Sequence, residues 1–174
     1  MPVSSDDVFL DMLTDGRELR WMKRALTDKS YKKVENRNVP GNGTTNADLA
    51  TYGDALLKFA LCSVLLDGSD QLSVSKAHYE SDKTLVTVIG KHYDIIRYLQ
   101  YDRDDKKIAR DYNWSPGSGN TDRGHKHIAT AVEAVLGAIY KEHGDMDEII
   151  GIARSWVGMV DENDRITDAV RQHR

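Results

Sequence analysis

Two stretches decide how this chain folds: Asn46-Ala47-Asp48-Leu49-Ala50-Thr51-Tyr52-Gly53-Asp54-Ala55-Leu56-Leu57 and Thr130-Ala131-Val132-Glu133-Ala134-Val135-Leu136-Gly137-Ala138-Ile139-Tyr140. From Leu49 onward, Leu49, Tyr52, Leu56, Leu57, Ala60, Leu61, Val64 and Leu65 recur at helical spacing, and Asn46 or Thr45 stands where an N-cap belongs. Ile128, Val132, Val135, Leu136 and Ile139 repeat the pattern in the second stretch. Asp54 and Glu133 are embedded in these apolar runs, and Asp54 lies far from the N-terminal turn where the helix dipole favours a carboxylate. A buried charge is costly unless it is paired or bound to a metal. Gly53 in a helix interior costs about 1 kcal/mol relative to alanine, so it predicts that something approaches the backbone closely. Taken singly, each acid fits the polar edge of an amphipathic helix and each glycine fits simple helix packing. The repetition favours two acids brought together to hold a hard divalent cation, a site suited to phosphodiester chemistry.

The surrounding sequence reads as a single all-α domain over residues 1–174. Pro40 and Pro116 lie in Gly/Asn/Ser-rich stretches, 38–43 and 115–120, which are loops by turn chemistry. Around them helices are predicted at roughly 6–14, 17–28, 46–66, 73–89, 91–100, 104–111, 125–142, 145–159 and 163–172. No run alternates with period two long enough for a strand. There is no apolar run of membrane length and no signal peptide, and the single Cys62 sits in an apolar helical pattern. A reducing cytoplasm and no membrane partner are expected. The net charge of −4 is unusual for a nucleic-acid binder, but its distribution is uneven. Arg17 to Arg37 carries eight Lys/Arg against three acids, and Arg103 to His127 adds six basic residues diluted by four acids. Such clusters make salt-sensitive phosphate contacts, or simply form a solvated helix face.

Asn46-x-x-Leu49-x-x-Tyr52-Gly53-Asp54-Ala55-x-Leu57 resembles the signature helix of ribonuclease III, written N-E-R-L-E-F-L-G-D-A-x-L. Ala131 to Tyr140 resembles the second acidic motif of that family, and Ala25-Leu26-Thr27-Asp28-Lys29-Ser30-Tyr31 resembles its upstream A-L-T-H-x-S-Y element, with Asp28 where histidine is usual. The resemblance extends over roughly residues 17–158. In the family four acids are usual, paired on one face of each helix, which corresponds here to 50 with 54 and 130 with 133. This chain has Ala50 and Thr130 in place of two of them. Asp48 is no substitute, because a two-residue step turns a helix by about 200° and points it to the opposite face. The reduced set resembles Mini-ribonuclease III, a branch without a double-stranded-RNA-binding domain.

The resemblance implies a Mg²⁺-dependent endoribonuclease, with Mn²⁺ as a substitute ion, that cuts double-stranded or structured RNA to 5′-phosphate and 3′-hydroxyl ends. Asp54 and Glu133 are then the catalytic and metal-ligating residues, and Asn46, Lys76, Arg123, Lys126 and Thr130 are candidates for substrate contact. Ribonuclease III domains act as homodimers, so a homodimer is expected. Shape readout of A-form duplex is expected rather than base readout. Two other readings stay open. The missing acids fit a catalytically inactive RNA- or ribosome-binding module; a nucleotide phosphohydrolase would need denser acidic repeats or a His-Asp pair. His125 and His127 have i,i+2 spacing, which points side chains apart on a helix, and are expected to be loop or surface residues.

Overall fold

A computed structural model of the chain describes residues 5–31, 45–68, 70–104, 108 and 126–172. The described residues are all-helical, apart from a single backbone bridge between Thr27 and Gln100. In chain order the helices are α1 (Ser5–Thr14), α2 (Arg20–Ala25), α3 (Ala47–Leu65), α4 (Leu72–Tyr79), α5 (Asp82–Thr84), α6 (Lys126–His143) and α7 (Met146–Gln172). The α5 turn runs directly into a π-helical segment, Leu85–Gly90. The expected loops at 38–43 and 115–120 lie outside the described residues, as does nearly all of the helix expected at 104–111.

Helix α6 is the centre of the bundle. Ile128, Ala131, Val132, Ala134, Val135, Leu136, Ala138 and Ile139 are all fully buried, which leaves Glu133 as the one charged residue of this stretch, with Thr130 the other polar one. Its most extensive contact is with α3, which buries Leu49, Ala50, Leu56, Leu57, Ala60 and Leu61. The close approach predicted from Gly53 is that of the other helix's backbone. A Cβ at Gly53 would land on the carbonyl oxygen of Glu133, and one at Gly137 would sit 2.7 Å from the carbonyl oxygen of Leu49. The two glycines therefore interlock, each in the space left by the other helix's main chain. Helix α1 closes one side of the bundle through Phe9, whose ring lies 4.5 Å from Tyr93 and 5.3 Å from Trp156.

Local chemistry explains where the helices depart from the spacing. The helix expected over 73–89 is interrupted at Ser81, whose backbone is extended (ψ 142°) and whose Oγ accepts from the Thr84 amide. The Thr84 hydroxyl donates back to the His78 carbonyl at 2.7 Å. These short side chains offer the backbone an alternative to continued helix, and the chain restarts at Asp82. The segment expected as helix over 17–28 is broken at Leu19, which is extended (ψ 150°) and joins a 3₁₀ turn at Gly16–Glu18 to α2. In 91–100 the helix continues only through His92, and Ile95–Arg97 forms a separate turn of 3₁₀ helix, entered through a left-handed Asp94 (φ 48°). The last two expected helices are one. No breaker separates them in α7, and the Tyr79 hydroxyl and His78 of α4 bind Asp161 and Asp164 across the seam.

Replacement of Gly53 by alanine would force α3 and α6 apart at their closest point. A loss of about 3 kcal/mol or more is expected, measured by urea denaturation. Ala55→Gly on the exposed side of the same helix should cost about 1 kcal/mol.

Candidate functional site

The crossing of α3 and α6 sets Asp54 and Glu133 beside each other, because Gly53 lies against the Glu133 peptide itself. Asp54 is half-buried, and its Oδ2 accepts a hydrogen bond from Lys58 Nζ at 2.6 Å, one turn further along α3. Glu133 also feels Asp82 at the start of α5 and Glu80 at the end of α4. Burial, followed by the negative charges of Asp54 and Asp82, pushes its carboxyl from 4.5 up to about 8. Glu80 is itself bound by Lys76 at 2.7 Å. Four carboxylates and two lysines thus gather where α3, α6 and the α4–α5 corner meet.

Ala50 and Thr130, at the positions of the missing acids, flank this cluster differently. Ala50 is 4 % exposed and belongs to the core, so the row 50, 54, 58 along α3 runs from buried to solvent-facing. Thr130 is half-buried one turn before Glu133. Asp48 points away and is committed to Arg24 at 3.1 Å, as its helical angle requires.

The expected substrate-contact residues are placed unevenly. Asn46 is 1 % exposed; its amide makes no hydrogen bond, and its backbone amide donates to the Thr27 carbonyl at 2.9 Å. It stands at the N-cap of α3 without a side-chain cap bond, inside the protein rather than on an RNA-facing surface. Lys76 lies in the acidic cluster on Glu80, and Lys126 is exposed at the start of α6. Arg123 lies outside the described residues, as does His125.

His127 is not a loop histidine. It sits in the first turn of α6, and its Nδ1 meets Asp28 Oδ2 at 2.9 Å. Asp28 is 1 % exposed and also accepts from the Ser30 amide at 2.7 Å. Burial alone would raise the Asp28 carboxyl, but the hydrogen bonds from His127 and Ser30 outweigh it and hold the group below its ordinary range. The acid in place of the usual histidine at position 28 was the readable sign that a basic partner stands elsewhere.

A second polar surface lies around Trp21. Arg20, Arg24 and Lys141 place their cationic groups 5.1, 5.9 and 4.9 Å from its ring, and the Trp21 amide donates to Glu142. A shallow cleft of about 180 Å³ beside it is lined by Arg24, Asp48, Leu49, Tyr52 and Lys141. Part of the basic cluster read from 17–37 is therefore a cation-ringed indole.

The family model of the Ribonuclease III domain matches residues 47–144, which spans α3 to α6 and both acidic helices. The chain belongs to the ribonuclease III family. Comparison with individual curated proteins returns no match.

Family membership implies a divalent cation. The donor chemistry fits one: the cluster offers carboxylate oxygens only, as a hard ion requires, and Glu133 carries the unfavourable burden of neighbouring negative charge. Among the described residues, no three His, Cys, Asp or Glu side chains converge as a ready-made metal cage. Asp54 and Glu133 would hold the ion, and water and substrate oxygen would complete its shell.

The raised Glu133 carboxyl has a sign in stability. Its contribution is full below its ordinary value of 4.5 and is lost as pH rises toward about 8. In EDTA the melting temperature should fall across that window, and in Glu133→Gln this part of the slope should vanish.

Proposed function

We propose that the chain is a divalent-cation-dependent endoribonuclease that cuts double-stranded or structured RNA, leaving 5′-phosphate and 3′-hydroxyl ends. The observation that carries this reading is the juxtaposition of Asp54 and Glu133 across the glycine contact of α3 and α6, in a chain of this family. Asp54 and Glu133 hold Mg²⁺, or Mn²⁺ in its place. A bound ion of this kind activates water and neutralises charge on the leaving oxygen. Glu133 fixes the ion to the packed helix pair, and Asp54, with its side chain 31 % exposed, keeps the site open to solvent and substrate. Thr130 offers a hydroxyl in place of a carboxylate, so more of the ion's ligation falls to water and to RNA phosphate.

The duplex is gripped through its phosphates by Lys126, Lys76 and Arg123 and by the cations around Trp21, a set that makes binding salt-sensitive. Ala50 and Thr130 align the active site with the Mini-ribonuclease III branch. A homodimer is supported by an exposed apolar stripe along α3 and its C-cap, Tyr52, Phe59 and Leu66, at seven-residue intervals and 38, 55 and 64 % exposed. Two copies would supply one cut on each strand. No helix among the described residues is long and apolar enough to cross a membrane, and Cys62 is a free thiol, in keeping with a cytoplasmic enzyme.

The second reading, an RNA- or ribosome-binding module without catalysis, is favoured by one observation: position 50 is part of the core rather than of the acidic cluster. Incubation with a long perfect RNA duplex separates the two. Short 5′-phosphorylated products formed with Mg²⁺, and reduced about a thousandfold or more by EDTA or by Glu133→Gln, are expected of the enzyme. A salt-sensitive gel shift without products would establish the binding module instead.

A further inference from the structure

Lys58 is absent from the residues that the motifs single out, yet it has the most direct hold on one of the two central acids. Its ammonium donates to Asp54 Oδ2 at 2.6 Å, and Glu80 and Glu133 are close enough to act on the same charge. Lys76, the other lysine of the cluster, is bound instead to both oxygens of Glu80, at 2.7 and 2.8 Å. The Lys58 side chain is 47 % exposed and emerges from the α3 surface, so it is free to swing away from Asp54 without disturbing the core.

We propose that Lys58 is the site's own cation: it occupies the Asp54 carboxylate in the absence of a divalent ion, and such an ion gains that carboxylate only by displacing it. The inference rests on the metal-dependent reading given above. Of the carboxylates gathered here Glu80 is already held by Lys76, and an ammonium on Asp54 lowers the site's attraction for a free ion further. RNA reverses the balance. Its phosphate supplies an oxygen ligand to the ion and, at the same time, an alternative anion for the released lysine. Lys58 is therefore a positioning residue that makes cation loading depend on substrate. The released side chain points toward the same opening that the substrate must use, since Asp54 and Lys58 share the solvent-facing end of the row that begins at Ala50.

The test is a Mn²⁺ titration of the RNA-free chain followed by electron paramagnetic resonance, comparing wild type with Lys58→Met, Lys76→Met and Asp54→Asn. Lys58→Met should tighten Mn²⁺ binding about fivefold, the upper end for an exposed ion pair, while Lys76→Met changes it less. Adding RNA duplex should narrow the gap between wild type and Lys58→Met. Unchanged or weaker binding in Lys58→Met overturns the proposal, as does equal tightening in Lys76→Met, which would mean a general field rather than competition for Asp54. If Asp54→Asn leaves wild-type binding unaltered, the metal assignment of Asp54 fails and the Lys58 proposal falls with it. If Asp54→Asn weakens binding and Lys58→Met does nothing, only the Lys58 proposal fails.

Discussion

Everything at the site depends on two helices touching through their backbones. Ordinary helix pairs are held 8–10 Å apart by their side chains. Here Gly53 and Gly137 remove the spacers, and each helix enters the other's groove. The gain is positional. An acid on either helix next to such a contact has almost no freedom to drift relative to the other, because the main chains between them are in van der Waals contact. The helix propensity given up at the two glycines is about 1 kcal/mol each, small beside the apolar burial of α3 and α6 around them.

The same contact decides the electrostatics. Glu133 is carried into the bundle by a helix whose middle is otherwise largely apolar and buried, so its carboxyl meets the negative charges of Asp54, Asp82 and Glu80 in a desolvated setting. Lys58 and Lys76 answer Asp54 and Glu80, but neither is bonded to Glu133. The imbalance is what makes the site receptive to a cation, and it exists because the fold forces an acid into an apolar setting.

Length alone did not make this fold legible, since α7, the longest helix, was expected as two. Helices α3 and α6 were readable within a residue or two because their apolar spacing is sustained for several turns, and the acid-beside-glycine pattern identified their meeting point. The corner at Ser81 was not, since the apolar spacing of 85–89 is compatible with a continued helix and only the Ser81–Thr84 hydrogen bonds break it. Asn46 was expected as the N-cap of α3 and, from the resemblance, as a substrate contact; here its amide is enclosed and makes no cap bond. Asp54 and Lys58 stand at i,i+4 spacing, a pattern open to inspection, but one overshadowed by the acids themselves. The Asp28–His127 pair joins residues 99 positions apart; the acid at 28 was a sign that a basic partner exists, but no spacing says which residue it is.

That pair also constrains how the molecule can change. Asp28 and His127 fasten the turn that follows α2 to the first turn of α6, one turn before Thr130 and two before Glu133. With His127 altered alone, the enclosed Asp28 carboxylate loses its ring partner and is left to Ser30, so a change at one position calls for a matching change at the other.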